Sequence, residues 1–451
     1  MKSPVRRVLG AGLATFGLAT TLALLVWRPA APSATEPSTR ATAPGNAASA
    51  GPLEVPAIPP PEGWAEVTWD EPVVQPFGPA DPQLRVDGMV GTDDLLVGWG
   101  RAPMPGRNQF NDMGAIFVSR DAATWVTVPV EHGVNAVSAS TVVDVAIGSD
   151  GLLAVGSVCC EPEQGAVWRS TDGLAWERLE VEGTFETGGQ PDSIVALDDG
   201  WVMLVGLHVG SEVAQSADGV TWERVLEADA NQVSRGIQAM TRGPDGILAI
   251  GTVEGPDESY DGVIWSSTDG RSWERVAVED PALVGDGEVY LHDIIGHAGG
   301  YLATGVLGTA EQRRACEELG RVASLIDLPR PPREMATSCA LGDEQQWASA
   351  DGLSWQRVDV AGEEMRPIEF RLARAGGPGL VVLGEASGPE SPDTMLFGSD
   401  DGIRWRVLSN IEPMLTDVGS GLVVRGDEVI AITEDWGADV LTYLVWRGRA
   451  G

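Results

Sequence analysis

Apolar and polar positions alternate along most of this chain in short β-type runs, and the runs return in the same order many times over. The pattern is plainest from Val142 to Ser157, "VVDVAIGSDGLLAVGS", where two apolar runs flank a Ser-Asp-Gly turn. A second pair follows it: "GAVWRS" leads into the seven-residue box "STDGLAW", Ser170 to Trp176, and "WERLEV" runs on from its end. The box recurs as "SRDAATW" from Ser119, "SADGVTW" from Ser216, "STDGRSW" from Ser267, "SADGLSW" from Ser349 and "SDDGIRW" from Ser399. An Asp- and Gly-rich turn between two such runs predicts a hairpin, with Gly or Ala taking the backbone angles that other residues resist. Each unit therefore predicts four antiparallel strands, and the pattern carries no helical period.

One such unit cannot bury its own apolar face and has to stack on its neighbours. The box aspartates, Asp121, Asp172, Asp218, Asp269, Asp351 and Asp401, are separated by 51, 46, 51, 82 and 50 residues. Four-stranded units of about 40 to 50 residues are the signature of propeller blades. The long interval is too short for an extra blade and predicts an insertion instead, roughly Leu307 to Glu344, between the second and third strands of the fifth unit. The second-strand run occurs seven times, as "DLLVGWG", "LLAVGS", "VMLVGL", "ILAIGT", "YLATGV", "LVVLGE" and "VIAITE", against six boxes. The last unit continues with "VLTYLVWRGR" and then lacks its fourth strand, while "EGWAEVTW", Glu62 to Trp69, resembles the outer strand of the other units. Pairing the two ends closes the ring and leaves no open sheet edge at the junction. The expectation is an all-β, seven-bladed propeller over residues 61–451, closed by an N-terminal strand.

Ahead of it, Lys2, Arg6 and Arg7 precede an uncharged run of 20 residues, Val8 to Trp27, long enough to cross a bilayer as a helix. Positive charge on its N-terminal side predicts a cytoplasmic segment over 1–7, a transmembrane signal anchor over 8–27 and export of everything after it. The protein is then single-pass in the cell membrane with the propeller outside; the alternative is a cleaved signal, since Gly17-Leu18-Ala19 is a small-x-small site inside the run, and a secreted product. Residues 28–60, rich in Pro, Ala, Ser and Thr, predict a disordered linker. Lys+Arg 30 against Asp+Glu 66 gives a formal charge of -36, and Lys2 is the only lysine. Such a surface repels phosphate backbones, which excludes nucleic acid as a partner, and is read as a solubilising shell.

The Ser-x-Asp-Gly-x-x-Trp boxes resemble the Asp-box (BNR) repeats of bacterial sialidases, of the sortilin ectodomain and of photosystem assembly propellers, one residue shorter than the usual Ser-x-Asp-x-Gly-x-Thr-Trp form. The resemblance extends from Glu62 to Arg449. It implies a structural task for the six boxes: Ser and Asp accept hydrogen bonds from the turn's own N–H groups, and Trp125, Trp176, Trp222, Trp273, Trp355 and Trp405 anchor the hairpins against the next blade. A sialidase would further carry a Phe/Tyr-Arg-Ile-Pro motif, three arginines, a Tyr paired with a Glu, and an Asp acid/base. "FRLA", Phe370 to Ala373, is a poor match to that motif in the wrong blade. The tyrosines are Tyr260, Tyr290, Tyr301 and Tyr443, of which Tyr290 is the best placed to serve as a nucleophile. The expected function is a binding or scaffolding module for a cell-envelope, glycan or protein ligand, with no cofactor; the alternative is a divergent sialidase-like glycoside hydrolase.

Other chemistry is sparse. His132, His208, His292 and His297 have no metal-ligand spacing, so no metal is expected. Asp93-Asp94 and Asp198-Asp199 fall in turns and are read as solvated rather than as calcium ligands. Cys159, Cys160, Cys316 and Cys339 lie on the exported side, where disulfides persist. A bridge from Cys316 to Cys339 would close the insertion, although four cysteines allow three pairings. Loops joining second to third strands share a face with the links between blades, and long loops on a rigid scaffold tend to carry function. Arg107, Phe110, Tyr260, Tyr290, Arg313, Arg314 and Trp436 are the candidates on that face.

Overall fold

The computed structural model describes residues 67–74, 76–77, 84–103, 112–129, 140–158, 164–183, 189–207, 210–227, 236–254, 259–276, 280–284, 288–309, 311–312, 343–358, 368–376, 379–386, 393–410, 417–435 and 442–450. The anchor at 8–27 and the linker at 28–60 lie outside them, and among the described residues no helix is long and apolar enough to cross a membrane. Residues Pro60–Gly451 form one compact unit.

That unit is a seven-bladed β-propeller. Six sheets each take four consecutive strands in antiparallel order, the first being Arg85–Gly91, Leu96–Pro103, Asp112–Ser119 and Trp125–Pro129. The seventh takes Asp417–Arg425, Glu428–Asp435 and Thr442–Ala450 from the C-terminal end and Val67–Trp69 from the N-terminal end. Val67 pairs with Ala450, Thr68 with Arg449 and Trp69 with Gly448, so the clasp forms where the missing strand required it. Val73 and Val74 add a second short pairing to the same last strand. Inner strands pack side by side around the axis, and the seventh contacts the first. Tyr443 of blade 7 reinforces that junction: its hydroxyl accepts from the Val86 N–H at 3.3 Å and lies 3.1 Å from the Leu84 carbonyl on blade 1.

The core lies between blades. Val97, Ile116 and Val118 of blade 1, for example, pack on Val145, Leu152 and Trp168 of blade 2. Box tryptophans belong to these layers: Trp176 of blade 2 joins the layer with blade 1, Trp222 that between blades 2 and 3, and Trp355 that between blades 4 and 5. Each therefore packs toward the preceding blade, not the next one as expected from sequence. Hairpin geometry explains the direction, because the box glycine already rests on that side, with Gly173 beside Val118 and Leu95 of blade 1.

Within each box the turn satisfies itself. The Asp172 carboxylate accepts from Leu174 N–H at 2.8 Å and Ala175 N–H at 3.0 Å, Ser170 Oγ accepts from Gly173 N–H at 2.9 Å, and Trp176 Nε1 donates to Gly173 O at 2.7 Å. The turn needs a left-handed residue, Gly173 at φ 79°, and the first box meets the same need with Ala122 at φ 60°. Backbone N–H donors hold the box carboxyls below their usual range, Asp269 at about 2 through Ser272 and Arg271. A carboxyl depressed in the folded state adds stability that is present above about pH 4 and lost as pH falls toward 2. Thermal midpoints are therefore expected to drop between pH 4 and pH 2, and Asp269→Asn, which keeps the acceptor oxygen, to flatten part of that drop in a pH series of melts.

All six inner-to-second strand pairs of blades 1 to 6 carry one irregularity at one place. Register shifts fall between Val86 and Gly88, Val142 and Asp144, Pro191 and Ser193, Ile237 and Ala239, Leu291 and Asp293, and Phe370 and Leu372. Each is a β-bulge, which turns one extra side chain out of the ladder. Opposite the bulge, on the second strand, stands the glycine of the repeated run in blades 1, 2, 4, 5 and 6, while in blade 3 Val205 faces Pro191 and Gly206 lies one residue farther on. A Cβ on Gly156 would sit 1.9 Å from Thr141 O, and one on Gly305 2.1 Å from Tyr290 O. The glycine in "LAVGS" and "LATGV" is there because the bulged backbone occupies the space of a side chain.

The insertion leaves blade 5 after Gly308 and returns at Asp343. It opens with a capping box, in which Gln312 N–H donates to Thr309 Oγ1 at 3.2 Å and Thr309 N–H to Gln312 Oε1 at 2.8 Å. Glu311 and Gln312 are helical, and residues 310 and 313–342 of the insertion lie outside the described residues.

Candidate functional site

The bulges build an opening on the propeller axis. The extra residue is Asp87, Val143, Asp192, Gln238 or His292 on blades 1 to 5, and each of these side chains is exposed although its strand neighbours are largely buried. One row deeper stand Gly88, Asp144, Ser193, Ala239 and Asp293. A cavity of about 320 Å³ at the mouth is lined by Asp87, Arg101, Thr141, Val143, Ser157 and Asp192, among others. Deeper in the channel a cavity of about 460 Å³ is lined by Asp144, Ser193, Gln238, His292, Asp293 and Arg374 with apolar walls from Met89, Trp99, Met240 and Ile294.

Backbone donors fix the two deep carboxylates. Val145 N–H donates to Asp144 Oδ1 at 2.8 Å, and Ile194 N–H of blade 3 donates to Asp144 Oδ2 at 2.9 Å, so Asp144 also ties two blades together. Ile294 N–H donates to Asp293 Oδ1 at 2.8 Å. Trp99 Nε1 donates to Val143 O at 2.9 Å, which holds the bulge of blade 2 from blade 1. Burial pushes Asp144 up to about 6 against the pull of its two N–H donors and Arg374, and burial raises Asp293 as well. At the mouth Asp87 and Asp192 are raised for the same reason, Asp87 in spite of Arg101 and Arg85. Carboxylates set inside a ring of protein lose hydration even where channel water reaches them.

The candidates named from sequence are placed differently. Tyr290 is 4% exposed and packs on Tyr260, with ring centroids 5.2 Å apart, between blades 4 and 5 rather than on the channel wall. Glu288 belongs to the same pair of blades and accepts from Tyr260 N–H at 2.9 Å. Burial in the wall removes Tyr290 from any role as a nucleophile at the opening. Of the histidines, His292 lines the channel and His297 is buried on the box side of the ring, where its Nδ1 accepts from Gly299 N–H at 3.2 Å. Arg107, Phe110, Arg313, Arg314, Trp436, His132, His208, Cys159, Cys160, Cys316 and Cys339 lie outside the described residues. Among the described residues no group of three or more His, Cys, Asp or Glu side chains is arranged to hold a metal ion.

No protein-family profile matches the chain, and no curated protein matches its sequence. Solved structures do match its shape. A protein of unknown function from Dyadobacter fermentans aligns at 15% identity and TM-score 0.44, over 85% of this chain and 100% of its own. An ulvan lyase of polysaccharide lyase family PL25 aligns at 12% identity and TM-score 0.46, over 84% of this chain and 94% of its own. At these identities the likeness is one of fold, and the channel residues stand on their own geometry.

Sequence reasoning passed over Asp87, Asp144, Asp192, Gln238, Asp293 and Arg374. A signal existed. In "RVDG", "VVDV", "QPDS", "GIQA" and "LHDI" a polar residue interrupts an inner-strand run 12 to 14 residues before the glycine of the following strand. A polar residue inside a run that should be wholly buried marks either a bulge or a lined cavity.

Proposed function

We propose that the protein is an extracytoplasmic recognition module, tethered by its N-terminal helix, that receives a cell-envelope, glycan or protein ligand at the mouth of its axial channel. The observation that carries this is the ring of bulges. The strands and boxes keep one pattern from blade to blade, yet the side chains that the bulges turn outward keep no common type: Asp87, Val143, Asp192, Gln238, His292. A rigid repeating scaffold that presents a varied set of mostly polar side chains at one opening has the form of a binding site. The insertion of blade 5 leaves and re-enters on the same face.

A second reading, a divergent glycoside hydrolase, draws on the two carboxyls Asp144 and Asp293 in one channel, since paired carboxyls of shifted pKa serve glycosidic cleavage. Against it, both oxygens of Asp144 already accept backbone N–H bonds. The test is a glycan and cell-envelope array probed with residues 60–451, with hydrolysis followed on the same samples, beside a variant in which 310–342 is replaced by a short linker. Saturable binding that weakens in the variant, without turnover, is the expected result. Turnover lost in Asp293→Asn would replace the recognition reading by the hydrolase one.

A further inference from the structure

The deep cavity has a charge and hydrogen-bonding balance of its own. Its described lining brings two carboxylates, Asp144 and Asp293, against one guanidinium, Arg374, so acidic groups outnumber the guanidinium. Arg374 spends part of its donor capacity on the backbone, since its Nη1 donates to Ala373 O at 2.7 Å. Both carboxylates are fixed by backbone N–H groups before any ligand arrives. Ser193, in the same row on blade 3, has a buried Oγ with no hydrogen-bond partner in the structure. Gln238 and Thr241 add neutral polar groups on blade 4, and Trp99 and Met240 add apolar wall.

Such a lining fits a small ligand that is cationic at one point and hydroxylated elsewhere. A cation returns to desolvated carboxylates the favourable interaction that burial removed. A hydroxyl answers the unsatisfied Ser193 Oγ, which otherwise bears the cost of a buried polar atom. The formal charge of -36 draws cations toward the protein at long range. We infer that the channel binds an amino sugar with a free amine, its ammonium facing Asp144 and Asp293 and its hydroxyls facing Ser193, Gln238 and Thr241. This rests on the recognition reading of the same channel and names the ligand class for it.

The experiment is calorimetric titration of residues 60–451, at pH 7 with a chelator present, using the glucosamine tetramer and the N-acetylglucosamine tetramer as paired probes that differ in amine acylation. The free-amine tetramer is expected to bind at least about tenfold more tightly, the scale of one hydrogen bond to a charged group. Asp293→Asn is expected to lower that affinity about tenfold or more, and Ser193→Ala by a smaller factor, with folding of each checked by its melt. Equal affinity for the two probes, preference for the acetylated one, binding of neither, or unchanged affinity in folded Asp293→Asn would each overturn the amine assignment. Should a neutral glycan on the array then bind and be displaced by channel substitutions, the recognition reading survives without it; an array with no saturable ligand removes both.

Discussion

Gly156→Ala is expected to be among the most destabilising single substitutions in this protein, although it adds one methyl group to a strand. The added Cβ would stand 1.9 Å from Thr141 O, and the neighbour that must move is backbone held in the ladder with Ser157 and Gly156. Side chains can rotate away from an overpacked site, but a bulged strand in a closed ring cannot shift without disturbing the blades on both sides. The expected cost is about 3 kcal/mol or more, read as a lower thermal midpoint and less soluble protein. Gly305→Ala meets Tyr290 O at 2.1 Å and should behave in the same way. Gly426 is the control: it is left-handed at φ 56° and a Cβ there meets nothing within 4 Å. Gly426→Ala should cost only about 1–2 kcal/mol, the penalty of the backbone angle alone. Equal effects at Gly156 and Gly426 would mean that the bulge is not what the repeated glycine serves.

Opening the clasp should have the next largest effect. A chain beginning after Pro60 retains Val67–Trp69 and is expected to melt as the full propeller does, whereas one beginning after Asp70 keeps only the short pairing of Val73 and Val74 and exposes the last strand's edge at Gly448, Arg449 and Ala450. It loses Val67, buried against Leu408, Leu422 and Val429, and the edge-on contact of Trp69 with Trp446 at 6.4 Å. Burial of the valine and of part of the tryptophan corresponds to about 3–5 kcal/mol, before the unpaired backbone groups are considered. The open strand offers N–H and C=O groups to another molecule, so gel filtration should show association as well as a lower midpoint. A peptide of residues 61–74 added in trans should restore both; a truncated chain that stays monomeric and fully stable would show that blade 7 does not depend on its borrowed strand.

Much of the architecture was legible because it is periodic. Six boxes and seven second-strand runs are local patterns, and each is decided by physics within a few residues: an Asp carboxylate caps N–H groups two and three positions on, and a left-handed glycine completes the turn. The borrowed first strand was legible for a related reason, since a repeat that ends one strand short specifies what must fill it.

Sequence alone thus determined the blade, the count of blades, the clasp and the place of the insertion. Only the tertiary structure decided what faces the axis. Whether Tyr290 points into the opening or into the wall depends on which side of a bulged strand it occupies, and a bulge reverses the alternation that a sequence pattern assumes. For the same reason Asp144 and Asp293, distant in the chain, line one channel, where burial raises both carboxyls. The direction in which each box tryptophan packs was likewise a property of blade against blade. Local hydrogen bonding is written residue by residue, while the chemistry of the channel arises from groups brought together only when the ring closes.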